Sequence, residues 1–171
     1  MTTLITGGSG CGKSYYAERL IARLGAGTTL LYIATMEAMD DECRKRIARH
    51  QTQRASLGFD TAECPTGLDK LIIPPGTSAI LECVPTLMAN EMFSECGDVS
   101  AVMRGIKHLA ASCGNLVVVT NDVCADGVTY DPETERYKAL LGGINREIAQ
   151  MSDNVIEVVY TIPTALKGVL P

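Results

Sequence analysis

The residues Gly7-Gly8-Ser9-Gly10-Cys11-Gly12-Lys13-Ser14 decide the fold of this chain. They follow the apolar run Leu4-Ile5 and precede a helical pattern, so they match the G-x-x-x-x-G-K-S phosphate-binding loop in its strand–loop–helix context. Glycines let the backbone turn its N–H groups toward a polyphosphate, and the dipole of the following helix favours negative charge there. We expect Lys13 to reach the β- and γ-phosphates of a nucleoside triphosphate and the Ser14 hydroxyl to ligate Mg²⁺. The alternative, a glycine-rich turn followed by a chance Lys-Ser pair, is disfavoured by this context.

The composition predicts one ordinary globular domain over residues 1–171. The chain has 46% hydrophobic and 20% charged residues, and no long uninterrupted apolar stretch that would insert stably in a membrane. Its net charge of −5 argues against binding to nucleic acid or to an anionic membrane surface, both of which need a basic face. Because Met1 leads straight into the first apolar run without an export signal, we expect a cytoplasmic protein.

Seven cysteines and two histidines give no recognisable metal site. The cysteines lie far apart and form no C-x-x-C pair, so zinc spacing is absent from the sequence. We expect free thiols that serve as small core residues in a reducing compartment.

Strand and helix patterns alternate along the chain. Continuous apolar runs predict buried strands at Thr28–Ala34, Thr77–Val84, Leu116–Thr120 and, as the last strand, Val155–Tyr160. Apolar residues at helical spacing predict helices around Ala17–Leu24, Asp40–Arg54, Thr86–Glu95, Val102–Cys113 and Tyr137–Met151. Pro85 is expected to end its strand, Leu57–Pro75 to be loop with a short strand or helix, and Val123–Glu133 to be exposed loop. This alternation predicts an α/β, single-domain phosphate-loop fold with a mostly parallel sheet covered by helices on both faces.

Ligands of open α/β sheets collect at the carboxyl ends of the strands. This rule makes the stretch from Ile33 to Thr35 a candidate for the nucleotide's surroundings, and it puts Asn121 and Asp122 on the same side of the sheet. Glu82 lies where phosphate-loop proteins place a carboxylate associated with Mg²⁺. A plain surface carboxylate at a strand end explains Glu82 equally well.

Two stripes meet at His50 on the helix predicted up to Arg54. Cys43, Ile47 and His50 follow an apolar line, and Arg46, His50 and Arg54 follow a cationic line. An imidazole among guanidinium groups that grip phosphate could attack a nucleotide α-phosphate and carry the nucleotidyl group. Spacing alone favours the other interpretation, a solvated basic face with an incidental histidine. His108, off its own helix's apolar stripe, is expected at the surface.

Several segments, taken in this order, resemble the bifunctional adenosylcobinamide kinase/adenosylcobinamide-phosphate guanylyltransferases of cobalamin biosynthesis. They are Thr6-Gly7-Gly8 to Lys13-Ser14, Tyr32-Ile33-Ala34-Thr35, Asp40-Asp41-Glu42 through Arg46-Ile47 to His50, Thr61-Ala62-Glu63, Leu81-Glu82-Cys83 with Thr86 and Asn90, Val118-Val119-Thr120-Asn121, and Asn145. The loop alone is shared by many unrelated proteins, whereas the combination covers nearly the whole chain and is far more specific.

The resemblance implies a two-step enzyme that uses ATP, GTP and Mg²⁺. The first step would phosphorylate the aminopropanol hydroxyl of the corrinoid adenosylcobinamide, and the second would transfer GMP from GTP to that phosphate. The family's guanylyl-carrying histidine matches His50, and the relatives suggest a homo-oligomer, a trimer. The matched positions that would contact the guanine nucleotide are Ile33, Ala34, Thr35, Gln51, Thr52, Gln53, Arg54, Glu63 and Glu82.

The chain departs from the family pattern at three places. Gly10 and Cys11 stand where relatives often carry a basic residue, and Ala55 replaces a Pro in a chain without Trp. Tyr160-Thr161 follows Val158-Val159, where Val-Val-x-Gly is usual. These departures bear on corrinoid binding and on the balance of the two activities.

Two other functions compete with the family interpretation. A phosphate-loop kinase of a smaller hydroxylated metabolite would leave His50 purely structural. A GTP-binding regulatory module is disfavoured because Thr120-Asn121-Asp122 lacks the lysine of the N-K-x-D guanine motif.

Overall fold

One mixed sheet organises the chain, and the computed structural model describes residues 1–37, 41, 48, 52, 54–122 and 127–171. Its seven strands lie in the order β3-β2-β4-β5-β1-β6-β7, with every neighbouring pair parallel except the β6–β7 hairpin. The strands are β1 Thr2–Thr6, β2 Thr29–Ala34, β3 Asp60–Glu63, β4 Thr77–Leu81, β5 Asn115–Val119, β6 Asn154–Val159 and β7 Ile162–Lys167. The α-helices given bounds are α1 Lys13–Leu24, α2 Val84–Phe93, α3 Val99–Ser112 and α4 Pro132–Met151. Short 3₁₀ helices lie at Ala55–Leu57 and Leu68–Lys70.

Helices cover both faces of the sheet, as predicted. On one face α1 packs Ala17, Leu20 and Ile21 against alternate residues of the central strands. On the other face α2, α3 and α4 bury a larger apolar cluster against the remaining strand residues. Because both faces are covered, the central strands are mostly apolar without regular alternation, which is the pattern that identified them.

The expectation that Val155–Tyr160 ends the strands is wrong. The chain turns at Tyr160 and Thr161, which have φ values of 49° and 67°, and returns as the antiparallel strand β7 over Ile162–Lys167. Hairpin turns with two positive φ values usually carry Asn or Gly, and β7 is an exposed edge strand. The sequence therefore lacks both usual signals of a hairpin, which are an Asn or Gly in the turn and a buried apolar pattern in the second strand.

Pro85 does not end a strand. Strand β4 ends at Leu81, and Pro85 lies in the first turn of α2, which begins at Val84 rather than at Thr86. A proline fits this position because the first helical N–H groups have no partner within the helix.

His108, which was expected at the surface, is half-exposed, and its Nε2 lies 2.9 Å from the Leu71 carbonyl oxygen.

The segment Leu57–Pro75 contains the edge strand β3, which extends the sheet beside β2. Of the helix predicted over Asp40–Arg54, the described residues are Asp41, Ala48, Thr52 and Arg54, and all four are helical. Among the described residues no helix is long and apolar enough to cross a membrane.

Candidate active site

The glycine-rich loop Gly7–Ser14 joins β1 to α1, as predicted. Gly12 precedes the first helical residue and has a φ of 93°, a left-handed conformation that glycine adopts without steric cost. A Cβ on Gly7 would lie 2.4 Å from the carbonyl oxygen of Val158, so the loop passes against β6 with no room for a side chain. These two glycines are therefore dictated by the path of the loop.

Lys13 lies over this loop at the start of α1. Its Nζ donates to the carbonyl oxygen of Gly8 at 3.0 Å. The positive side chain and the first N–H groups of α1 are thus directed to the same side of the loop, which is the arrangement that favours a bound polyphosphate.

The β6–β7 hairpin supports the loop from below. The backbone N–H of Thr161 donates to the carbonyl oxygen of Cys11 at 2.8 Å. A Cβ on Gly12 would lie 2.7 Å from Cγ2 of Thr161, so the threonine methyl fills the space beneath that glycine. The strand missed by sequence analysis therefore helps to hold the phosphate loop.

A cleft of about 560 Å³ opens above the loop. The carboxyl ends of β4 and β5 and the first turn of α2 form its other walls. The residues that line it are Ser9 to Tyr15, Met36, Glu82, Cys83, Pro85, Thr86, Val119, Thr120 and Asn121. Its size lies within the usual range for small-molecule sites.

Ser14 and Glu82 both line this cleft. A hydroxyl and a carboxylate supply oxygen ligands, and Mg²⁺ in nucleotide sites is held by one or two protein oxygens together with the substrate phosphates. The described residues contain no group of three His, Cys, Asp or Glu side chains that would hold a metal alone. The donor set thus fits Mg²⁺ that arrives with a nucleotide.

Tyr32 connects Glu82 to the interior. The side chain is 1% exposed, and its hydroxyl is hydrogen-bonded to the Glu82 carboxylate. Burial raises the pKa of Tyr32 far above its ordinary value, and the negative charge of Glu82 adds to this effect. The phenol therefore stays protonated and donates to Glu82 at any physiological pH.

Arg54 is stacked on the other side of this tyrosine. Its guanidinium carbon lies 3.7 Å from the Tyr32 ring centroid, the residue is 7% exposed, and Nη2 donates weakly to the Thr61 hydroxyl at 3.5 Å. Arg54 does not line the cleft. Its charge therefore lies over the buried ring.

The stretch from Ile33 to Thr35 lies beneath the cleft rather than in its wall. Ile33 and Thr35 are fully buried, and Ala34 packs partly buried against the α1-side core. The Thr35 hydroxyl donates to the Cys83 carbonyl oxygen at 3.1 Å, and Asn90 Nδ2 donates to the Thr35 carbonyl oxygen at 2.9 Å. These bonds fix the ends of β2 and β4, where the nucleotide contacts were expected.

The remaining predicted site residues divide into two groups. Glu63 is exposed at the end of β3, and Thr52 is exposed with its hydroxyl donating to the Ala48 carbonyl oxygen at 2.9 Å. His50, Gln51 and Gln53 lie outside the described residues.

Sequence analysis did not single out Tyr15, Met36, Pro85 or Val119 as wall residues of the cleft. The rule that ligands collect at strand ends could have predicted Met36 and Val119, because each lies at or just after the carboxyl end of a strand.

Sequence analysis also missed a pair of hydrogen bonds between α4 and the end of β5. The Thr120 hydroxyl donates to Asn145 Oδ1 at 2.7 Å, and Asn145 Nδ2 donates to the Asn121 carbonyl oxygen at 3.3 Å, so α4 fixes the end of β5.

A mostly parallel sheet covered by helices, with a glycine-rich loop and its lysine at the first helix, defines a phosphate-loop nucleotide-binding protein. Comparison with known proteins then specifies the family. The family described as "Cobinamide kinase / cobinamide phosphate guanyltransferase" matches residues 3–166, and this chain belongs to it.

Curated relatives agree over the full length of the chain. The "bifunctional adenosylcobalamin biosynthesis protein CobU" of Salmonella typhimurium is 34% identical, with 98% of this chain and 100% of that protein covered. The protein of the same name from Escherichia coli is 33% identical over the same shares. The corresponding CobP of Pseudomonas aeruginosa is 30% identical, with 98% of each chain covered.

The fold is shared more widely than the family. The crystal structure of the flagellar accessory protein FlaH from Methanocaldococcus jannaschii superposes with a TM-score of 0.53 at 14% identity. The match covers 98% of this chain and 78% of FlaH. At that identity the likeness concerns the fold alone.

Proposed function

We propose that this chain, as one domain over residues 1–171, catalyses both activities in its family's description. It phosphorylates the hydroxyl of adenosylcobinamide with ATP or GTP, and it then transfers GMP from GTP to the new phosphate, giving adenosylcobinamide-GDP and pyrophosphate. The observation that carries the proposal is that Lys13, Ser14 and Glu82 line one cleft above the glycine-rich loop. The full-length family match supports the choice of substrate.

The kinase step needs a γ-phosphate held in place while the acceptor oxygen attacks it. Lys13 and the loop N–H groups neutralise the phosphate oxygens, and the acceptor oxygen forms a bond to phosphorus as the bond to the nucleoside diphosphate breaks. Ser14 and Glu82 are the residues that would hold Mg²⁺, which would supply further charge neutralisation on the β- and γ-phosphates. The Tyr32 hydroxyl orients Glu82 for that role.

The guanylyl step is assigned to His50. A neutral imidazole nitrogen attacks the α-phosphate of GTP and releases pyrophosphate, and the phosphate of the acceptor then displaces the histidine to give the product. In this scheme Arg46, four residues before His50 in the sequence, would favour the neutral imidazole. Nucleotide contacts from Gln51, Thr52, Gln53, Arg54 and Glu63 remain predictions of this scheme, as do a cytoplasmic location and a trimeric assembly.

The direct test is covalent labelling. The protein is incubated with Mg²⁺ and GTP labelled at the α-phosphate, run on a denaturing gel, and treated with acid and with alkali. An acid-labile, alkali-stable label that His50→Ala abolishes is the expected result, because a phosphoramidate has these stabilities. No label under conditions where GTP binds would overturn the guanylyl-histidine.

The two competing functions predict different results in this experiment and in assays of phosphoryl transfer, GTP hydrolysis and corrinoid binding. A kinase of a smaller metabolite would form no adduct, and its phosphoryl transfer would survive His50→Ala. A regulatory GTP-binding module would hydrolyse GTP slowly and show no affinity for a corrinoid.

A further inference from the structure

A second cavity lies on the α4 side of the sheet, outside the machinery described above. It is open, has a volume of about 610 Å³, and is lined by Thr6, Asp122, Lys138, Gly142 and Arg146, among others. Thr6 immediately precedes the phosphate loop. Since β1 pairs with β5, the cavity begins about one strand spacing, roughly 5 Å, from the β5 end that borders the nucleotide cleft.

Asn145 joins the two cavities. It lines the second one, and its amide nitrogen donates to the carbonyl oxygen of Asn121, which lines the first. A ligand seated against α4 would thus lie next to the cleft that Lys13 lines. This is the relation that an acceptor and a nucleotide need for phosphoryl transfer.

The charges of the second cavity are balanced. Lys138 and Arg146 supply hydrogen-bond donors, whereas Asp122 and Glu135 supply acceptors. A second nucleoside triphosphate would place its negative charge beside two carboxylates. A ligand that carries many carboxamide groups and no polyphosphate charge instead finds acceptors for its N–H groups and donors for its carbonyl oxygens.

One end of this cavity is held rigidly. Glu135 Oε1 accepts both the backbone N–H of Tyr130, at 3.0 Å, and Lys138 Nζ, at 3.1 Å. Lys138 also lies 4.8 Å from the Tyr130 ring centroid and donates to the Val128 carbonyl oxygen at 3.3 Å. A polar corner fixed in this way does not have to be ordered when a ligand binds.

Gly142 forms an open floor between these polar groups. It lies within α4, a helix of 20 residues, where glycine is destabilising relative to alanine. A Cβ built on it meets nothing within 4 Å except the terminal Nη1 of Arg146 at 3.7 Å, so packing among the described residues does not require glycine there. The absence of a side chain at Gly142 leaves open space above α4.

We propose that this cavity binds the acceptor of the transfer reactions through its amide-bearing periphery, with Gly142 letting the large ring system approach α4. The inference rests on the proposed function, because it takes adenosylcobinamide as the acceptor. It assigns to α4 a recognition role that is separate from the nucleotide cleft.

The test compares leucine substitutions at adjacent positions. Gly142→Leu fills the floor of the cavity, whereas Gly143→Leu adds the same side chain at a residue that does not line it. Initial rates of phosphoryl transfer are measured at saturating ATP against adenosylcobinamide concentration. For Gly142→Leu we expect KM for adenosylcobinamide to rise at least about tenfold with little change in kcat, while Gly143→Leu stays within about twofold of the original chain.

Two further measurements separate the possible failures. The GTP labelling experiment needs no acceptor, so a retained label in Gly142→Leu reports an intact nucleotide site. Gly142→Ala is a second variant for the case in which leucine prevents folding, because the site has room for a methyl group. For this variant we expect a higher Tm and a KM for adenosylcobinamide raised about two- to threefold. Unchanged KM in the folded Gly142 variants would overturn the cavity assignment and leave the proposed function standing. Loss of both labelling and phosphoryl transfer in the unaltered protein would instead overturn the proposed function, and this inference with it.

Discussion

Replacing Arg54 with methionine tests whether this arginine serves the fold or the nucleotide. Sequence resemblance places Arg54 among nucleotide contacts, whereas the structure buries it against the Tyr32 ring and outside the cleft. Methionine preserves much of the buried volume and removes the charge. We expect Arg54→Met to lower the free energy of unfolding more than it weakens GTP binding.

The size of the effect follows from the surroundings of the guanidinium. A desolvated cation over an aromatic face contributes about 2 kcal/mol. Replacing the arginine is therefore expected to cost about 2 kcal/mol, which corresponds to a fall in Tm of roughly 4–8 °C for a chain of this size.

Arg19 offers a matched control for this measurement. Its guanidinium stacks on Tyr15 with the carbon 4.6 Å from the ring centroid, but both residues are exposed. Exposed pairs of this type contribute only about 0.5–1 kcal/mol, so Arg19→Met should change stability by no more than that. Urea unfolding with and without GTP measures all the quantities. Arg54→Met with unchanged stability and clearly weaker GTP binding would show that the buried stack is not its role.

Three other predictions concern the loop, the hairpin and a half-buried thiol. Lys13→Met should lower kcat for phosphorylation of adenosylcobinamide by about 10²- to 10³-fold, because a positioned charge is lost from the γ-phosphate; a change in KM alone would contradict this. Thr161→Gly should relieve roughly 1–2 kcal/mol of left-handed strain, but it should lose about 0.5–1 kcal/mol to the greater freedom of glycine when unfolded and about 0.8 kcal/mol with the methyl that packs beneath Gly12. The Tm should therefore stay nearly unchanged, and a fall of more than about 3 °C would refute the assignment of strain. Burial raises the pKa of Cys113 from 9.0 to about 11, so at pH 8 it should react with thiol reagents far more slowly than exposed Cys96. Because the folded pKa is the higher one, the contribution of Cys113 to stability is complete below pH 9 and is lost as the pH rises toward 11, which comparison with Cys113→Ala over that range should reveal.

The parts of the fold that sequence predicted are those with a strong local signal. The glycine-rich loop specifies a strand before it and a helix after it, and Ala17, Leu20 and Ile21 lie on the predicted buried stripe. Strands buried on both faces are apolar over most of their length, so β2, β4 and β5 were identified with errors of only a few residues at their ends. The edge strand β7 has no such pattern, because five of its six residues are exposed.

The candidate site was predictable only in part, for a related reason. Sequence identified the loop and the strand ends, but it could not say which side chains at those ends enter the cleft. Ile33 points into the core while Met36, a few residues later, lines the cleft. The sequence places Arg54 on a cationic stripe, and no local sequence feature indicates that its side chain stacks on the ring of Tyr32 in strand β2. Such contacts are set by the tertiary fold.

The hairpin turn and the phosphate loop are in direct contact, and both contain residues that depart from the family pattern. Cys11 stands in the loop where relatives often carry a basic residue, and Thr161 stands in the turn where glycine is usual. In the structure the Thr161 N–H donates to the Cys11 carbonyl oxygen, and its methyl lies beneath Gly12. The hydrogen bond belongs to the backbone and survives any substitution except proline, whereas the methyl contact depends on the threonine. The left-handed conformation of Thr161 therefore costs stability at the turn, whereas its methyl group adds packing beneath Gly12 of the loop.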